Sequence, residues 1–350
     1  MLDKTTHAVT ESDVITFYRI MLGREPEGPE AIAPHLQHGS AAELLAAIAS
    51  SEEYQRRINP PGSGQPYLTA GTGNLYVPTE VFAGTYAGEY MPASIPLASD
   101  FMHPEFSRFL EGIRHPFQIH RKIWEFAYIA HHLERMGALG PGKRGLCFGA
   151  GEEPLPAFFA KRGSHIVATD APAEIVLGKW IETAQHSDNI GKLAKPEIID
   201  NKLFTERVTF EPCDMNAISP HLKEFDFCWS ACCLEHLGSL RHGLDFIINS
   251  VEKTLKIGGV ACHTTELNLS SNEDTLESEH MSLFRRRDLE ELIEDLRRRG
   301  HEVLPLVVTP GATPIDHYID LPPYLNDPHL KLRLGGFVST SVGIVVRRGR

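Results

Sequence analysis

The sequence predicts an α/β protein in which a doubly wound, mainly parallel sheet domain follows a small all-helical module. Three observations carry this prediction. Between residues 145 and 263, short apolar runs of strand character alternate with helical patterns. That order needs crossover connections, and therefore a parallel sheet. A Gly-x-Gly loop joins the first of these runs to the helix behind it. The first 58 residues, by contrast, show helical periodicity only. At 350 residues the chain has room for two domains and for a core that needs no disulfide or structural metal.

At the front, Glu11-Ser12-Asp13 precedes Val14, Phe17, Tyr18 and Met21-Leu22, an i, i+3, i+4 stripe behind a cap, and Gly23 stops that helix. A second helix fits Glu30–His38 and a third runs from Ser40 through Leu44, Leu45 and Ile48. Ser51-Glu52-Glu53 caps a last turn ending at Arg57. Through Phe17-Tyr18-Arg19, Leu22-Gly23-Arg24-Glu25-Pro26, Gly39-Ser40 and Ser51-Glu52-Glu53-Tyr54, residues 1–58 resemble the helical module known as DUF4214. The resemblance implies a docking module for a protein partner; a structural appendage fits the same residues.

Residues 59–100 carry no charge from Ile58 to Thr79 and hold 12 Gly or Pro between Pro60 and Pro96, which excludes a continuous helix. Tyr67, Tyr76, Phe82, Tyr86 and Tyr90 make the stretch too aromatic for a free linker. It reads as an ordered connector, or a lid over the main domain. That domain occupies residues 101–350. Pro116 breaks its opening helical region, and a strong helix follows from Phe117 to Met136. Gly145–Phe148, Ile166–Thr169, Val208–Phe210, Phe225–Trp229 and Gly259–His263 read as strands, with helices at Leu155–Arg162 and Leu240–Leu255. A charged helix at Arg287–Arg298, a strand at Glu302–Val308, a proline-rich loop and a final strand at Thr340–Val346 complete the chain.

The loop Phe148-Gly149-Ala150-Gly151-Glu152-Glu153-Pro154 is where a ligand can approach the backbone at the start of a helix. Asp170 ends the next strand, nineteen residues beyond Gly151, where a carboxylate takes both hydroxyls of a ribose. The third glycine of a dinucleotide fingerprint is missing, and Glu152 and Glu153 stand where a pyrophosphate would lie. Like-charge repulsion disfavours a diphosphate there, whereas a sulfonium and an amino group are favoured. The loop thus points to S-adenosyl-L-methionine ahead of a nicotinamide dinucleotide. After the third strand, Asp214 can accept from an adenine amino group and Met215 can pack on the ring.

With Gly149-Ala150-Gly151, Asp170, Asp214-Met215, Leu234-Glu235-His236-Leu237 and Gly258-Gly259 in that order, residues 117–349 resemble the class I S-adenosylmethionine-dependent methyltransferases. The resemblance implies a Rossmann-like, seven-stranded sheet whose last strand alone is antiparallel. It also implies cofactor contacts from Phe148, Gly149, Ala150, Gly151, Asp170, Ala171, Asp214, Met215 and Ser230. The sequence departs from the family where its first strand often has an acid, here Cys147, and where its third small loop residue would stand, here Glu153.

Methyl transfer from a sulfonium is an in-line displacement, and a hydroxyl acceptor profits from a base. His236, His263 and Glu266 form the expected catalytic set, with His236 or His263 as the base. His263, Glu266 and His280 could hold a divalent metal, and no metal is expected. Trp124 and Tyr128 on the preceding helix, with His317 and Tyr318 in the final loop, are the expected acceptor walls and suit a small-molecule or glycan-like acceptor methylated at oxygen. The alternatives are an NAD(P)-dependent oxidoreductase and a non-catalytic cofactor-binding adaptor. Asp and Glu number 46 against 34 Lys and Arg, a net charge of −12, which argues against nucleic acid as a partner. The acidity is concentrated in the first 100 residues. Six cysteines without a CxxC pair read as buried thiols. No secretory signal and no membrane span are visible, so a cytoplasmic protein is expected.

Overall fold

The structure, a computed structural model, describes residues 9–54, 88–172, 187 and 189–349. The chain divides into two compact units, residues 1–77 and 78–350. In the first, Thr10 caps the helix Glu11–Phe17, so Glu11 and Asp13 form its first turn rather than its cap. The Thr10 hydroxyl accepts from Asp13 N at 3.2 Å, and Asp13 accepts from Thr10 N at 2.9 Å. The helix continues as a π-helical turn, Tyr18–Leu22, and stops at Gly23. The second expected helix is shorter, Pro29–Ile32, and tightens into a 3-10 segment, Ala33–Gln37, around Pro34, which has no amide to donate. Ser40 caps the third helix, Ala41–Ala49. Val9, Val14, Tyr18, Leu22, Leu44 and Ile48 form the unit's core. The expected end of the last turn at Arg57 and residues 59–87 of the expected connector lie outside the described residues.

In the second unit, Tyr90, Met91, Ala93, Ile95, Leu97 and Ala98 are buried, so the described end of the connector belongs to this unit's core. Short helices at Ala98–Met102 and Pro104–Ile113 precede the long helix Arg121–Arg135. That helix starts later than its periodicity suggests. His120 caps it, accepting from Lys122 N at 3.0 Å, and bridges to His329.

The sheet strands are β1 (Arg144–Phe148), β2 (His165–Asp170), β3 (Val208–Pro212), β4 (Phe225–Ala231), β5 (Leu255–Asn268), β6 (Glu302–Val303), β7 (Ile319–Asp320), β8 (Lys331–Leu334) and β9 (Phe337–Arg347). Their order is β3-β2-β1-β4-β5-β9-β8-β7, with β6 also paired to β9. Strands β1 to β5 are mutually parallel, and β9 runs antiparallel to β5, β6 and β8, so β9 alone is reversed. The seven expected strands are therefore present, as β1–β6 and β9. Two short strands, β7 and β8, extend the edge of β9. Strand β6 is cut to two residues because the chain beyond it turns to Ser94, with Ser94 N donating to Val307 O at 2.8 Å.

Side-chain alternation sorts the sheet into two faces. Leu146, Phe148, Cys228, Ala261 and Ile344 pack with Phe246, Ile247, Leu289 and Leu292 of the helices Leu240–Asn249 and Arg286–Arg298. On the opposite face, Trp229 meets Phe159 of the helix Leu155–Lys161, and Tyr128 of the helix Arg121–Arg135 lies directly on Gly343 of β9. In the order β2-β1-β4 the chain reverses direction of growth at β1. The crevice at the carboxyl ends of β1 and β4 is thus the topological switch point.

Candidate cofactor and acceptor site

The glycine loop leaves β1 through Gly149 (φ 62°) and Gly151 (φ 48°), both in the left-handed region. At Gly149 a Cβ atom would lie 2.8 Å from Cys233 Sγ and 3.9 Å from Met215 Sδ, so the loop backbone, the end of β4 and the Met215 thioether meet here without a side chain between them. Asp170, at the carboxyl end of β2, is buried and accepts from Gly151 N at 2.8 Å, Ala171 N at 2.7 Å and Ser187 N at 3.0 Å. Its carboxylate therefore fixes the loop as well as facing the switch point. Ala150 is buried and its amide donates to Thr169 O. Asp214 is half-buried and accepts from Asn216 N at 2.8 Å.

Glu153 does not face this loop. Its side chain turns beneath the sheet, where Oε1 accepts from Trp229 Nε1 at 2.6 Å and from the Cys147 thiol at 3.3 Å. Burial pushes this carboxyl up to about 7. The two departures noted in the sequence thus answer each other: the acid missing at position 147 reaches the same spot from position 153. Of the two loop acids only Glu152 is exposed.

The carboxyl ends of β4 and β5 carry a dense polar cluster. Cys232, directly after β4, holds a left-handed backbone (φ 48°), a costly conformation for a side-chain-bearing residue. Its thiol donates to Glu125 Oε1 at 3.0 Å. Arg121 Nη1 lies 2.6 Å from Glu266 Oε1 and 3.4 Å from Glu125 Oε1, and Lys122 Nζ lies 3.0 Å from Glu125 Oε2. Ser339 donates to Glu266 Oε2 at 2.6 Å and Thr265 donates to Glu235 Oε2 at 3.0 Å. Burial raises Glu235, and the Glu266 charge adds to this. Burial also opposes ionisation of Glu125, but Lys122 and Arg121 together hold it below the usual carboxylate range. Atoms of Cys232, Glu235 and Glu266 lie within 4.8 Å of one another, a spacing compatible with a cation, but the Arg121 guanidinium already sits on Glu266.

Several expected site residues are placed elsewhere. His263 is fully buried on the face under the helix Leu240–Asn249, with Nδ1 2.8 Å from Ser230 Oγ and Nε2 2.9 Å from Ser250 Oγ. Burial lowers it to about 3, so it is neutral, occupied at both nitrogens and not placed to act as a base. Ser230, its partner, is equally buried. Phe148 packs its ring on Phe246 in the core, leaving only backbone at the loop. Trp124 and Tyr128 are core residues, not acceptor walls. The Trp124 indole donates to Asp100 Oδ2 at 2.7 Å, and Tyr128 covers Gly343. Tyr318 is buried, while His317 is exposed at the end of the short helix Pro314–His317 before β7. His236 remains half-buried after β4, with Nδ1 2.7 Å from His280 O and Nε2 4.0 Å from Glu235 Oε1. Since a carbonyl only accepts, Nδ1 carries the proton of this bond, and in a neutral ring the lone pair would lie on Nε2.

Sequence reasoning missed Arg121, Lys122 and Glu125. Their signal was an Arg–Glu pair spaced i, i+4 on a helix otherwise apolar around Ile123, Trp124 and Phe126. A recess lined by Met136, Lys143, Asp226, Lys256 and Arg347 lies at the amino ends of the parallel strands and contains none of these site residues.

Fold and glycine loop together define a Rossmann-like α/β domain with a crevice at its topological switch point. No protein family matches the chain by sequence, and no curated protein does. Among solved structures, it is similar to a S-adenosylmethionine-dependent methyltransferase from Clostridium acetobutylicum, at 11% identity over 70% of this chain and 98% of that one, with a TM-score of 0.38. It is also similar to the Burkholderia thailandensis 1,6-didemethyltoxoflavin-N1-methyltransferase, solved with 1,6-didemethyltoxoflavin and S-adenosylhomocysteine. That match has 16% identity over 66% of this chain and 79% of that one, with a TM-score of 0.36. With a protein from Galdieria sulphuraria the chain shares 17% identity over 51% of its own length and 60% of the other, under two thirds of that protein, with a TM-score of 0.37.

Proposed function

We propose that the chain is a S-adenosylmethionine-dependent methyltransferase acting at oxygen on a small-molecule or glycan-like acceptor. The observation that supports this most is the junction of Gly149, Gly151, Asp170 and Met215 at the switch point. Asp170 would hold the ribose hydroxyls, the glycine backbone would let the amino-acid part approach, and Met215 and Asp214 would receive the adenine. Bound there, the cofactor supplies an electrophilic methyl on a sulfonium. Glu152, exposed on the loop, favours that cation over the diphosphate of a dinucleotide.

The acceptor end belongs to the residues after β4 and β5. An acceptor hydroxyl placed beside His236 would give its proton to Nε2. The His280 carbonyl, 2.7 Å from Nδ1, would favour the tautomer this role needs. Alignment of the two reacting atoms supplies much of the acceleration. Residues 1–58 are read as a docking module for a protein partner, separate from the catalytic domain of residues 101–350.

Calorimetry with S-adenosylhomocysteine and with NADH tests the reading. Binding of the former and not the latter is expected. Failure to bind S-adenosylhomocysteine would overturn the proposal. A screen with methyl-labelled cofactor against phenolic metabolites, nucleotide sugars and glycan extracts then identifies the acceptor.

A further inference from the structure

The helix Ala41–Ala49 of the first unit reads Ala-Ala-Glu-Leu-Leu-Ala-Ala-Ile-Ala, with Glu43 as its one charge. A helix this apolar around its circumference is ordinarily enclosed on all sides. The core of the unit takes only Leu44 and Ile48 from it. Ala41, Leu45 and Ala46 are exposed, Leu45 to 45%, and Ala49 is half-buried. At 3.6 residues per turn, Leu45, Ala49 and Ala46 make one uncharged strip that runs from the flank of the helix to the side opposite Leu44 and Ile48.

Charge selects among the candidates for covering that strip. Residues 9–54 hold eight Asp or Glu and two Arg. Both Arg are already engaged by acids of the same unit. Arg19 lies 2.5 Å from Glu25, and Arg24 lies 2.9 Å from Glu27 and 2.5 Å from Glu53. Glu43 stands in the first turn of the helix, and Glu52 and Glu53 stand just beyond its carboxyl end, all three exposed. The last turn has no basic residue, so the negative end of the helix dipole adds to the acids there. The strip is thus bracketed by negative charge. A second copy of the chain would set these acids against their own kind, and an anionic membrane would be repelled. A helix with an apolar stripe and Lys or Arg beside it satisfies both the strip and its rim.

We infer that the helix Ala41–Ala49 receives a basic amphipathic helix of a partner protein, whose apolar side chains cover Leu45, Ala46 and Ala49 and whose cations meet Glu43 and Glu52. This inference rests on the reading of residues 1–58 as a docking module and names the chemistry of its partner. The alanines let the incoming helix lie close, and Leu45 supplies one large apolar anchor.

The test adds three synthetic 18-residue helical peptides to the full chain and measures their affinities by fluorescence anisotropy. The first carries a leucine stripe flanked by lysines, the second the same stripe flanked by glutamates, and the third the lysines with serines in place of the leucines. The first is expected to bind at least tenfold more tightly than either of the others. Leu45→Ser and Ala46→Lys, both at exposed positions, are each expected to weaken it at least fivefold. Ile257→Ser, which removes a 73% exposed apolar side chain from the second unit, is expected to leave it within twofold. Equal binding of the lysine and glutamate peptides, both weakened by Leu45→Ser, would overturn the basic partner and leave the docking module standing. Equal binding of the serine peptide would overturn the apolar contact. A dimer of the chain that Leu45→Ser abolishes, read by sedimentation velocity, would give the face to a second copy and overturn the inference. Absence of binding by the first peptide, or binding that survives both substitutions, would overturn the docking reading together with it.

Discussion

Replacing Glu153 by Gln gives a sharp test of how the glycine loop is anchored. The carboxyl is buried against Trp229 and Cys147, and burial pushes it up to about 7, from 4.5 in an unrestrained chain. Below about pH 4.5 it is protonated in both folded and unfolded states and contributes no pH dependence. As the pH rises through 7 the unfolded chain releases this proton more readily, and stability is lost. At 1.36 kcal/mol per tenfold difference in proton affinity, the loss amounts to about 3 kcal/mol above pH 7. Gln can still accept from the Trp229 indole but cannot ionise, so it behaves as the protonated acid at every pH. Urea unfolding of both proteins from pH 4.5 to 8 should show similar stability at the acid end and a more stable variant at pH 8. Asp100, also raised by burial to about 7, is common to both proteins and cancels in the difference. A stability gap that stays constant with pH, or a Gln variant less stable at pH 8, would refute the assignment.

The other predictions concern the site directly. Gly149→Ala puts a methyl 2.8 Å from Cys233 Sγ at a left-handed backbone position, and should cost about 1–2 kcal/mol of stability. Cys233→Ala should restore part of that loss in the double variant, as read by thermal melting. Asp170→Ala removes the acceptor of three backbone amides as well as the proposed ribose ligand, so S-adenosylhomocysteine affinity measured by calorimetry should fall at least tenfold. His263→Gln should retain methyl transfer, since His263 lies in the core, while His236→Ala should lower kcat with cofactor affinity unchanged. A base at His263 would reverse that pair of outcomes.

Local chemistry determined much of what the structure contains. The alternation of apolar runs and helices specified the parallel sheet, because period-two and period-3.6 patterns cannot exchange places. Gly149, Gly151 and Asp170 were legible as one unit because their spacing belongs to a single strand–loop–helix–strand segment. What sequence order does not encode is which face each residue takes and which distant segments meet. Strand parity turned His263 under the helix Leu240–Asn249 and left Glu266 facing Arg121. A contact across 76 residues took Glu153 away from the loop acids and onto Trp229. Trp124 and Tyr128 looked like acceptor walls because they are aromatic, but helix packing placed them in the core. The cluster of Arg121, Lys122, Glu125, Cys232, Glu235 and Glu266 draws on three separate stretches of chain. Only the tertiary fold brings these charges together, because their mutual interaction is an energy of distance in space and not of separation in sequence.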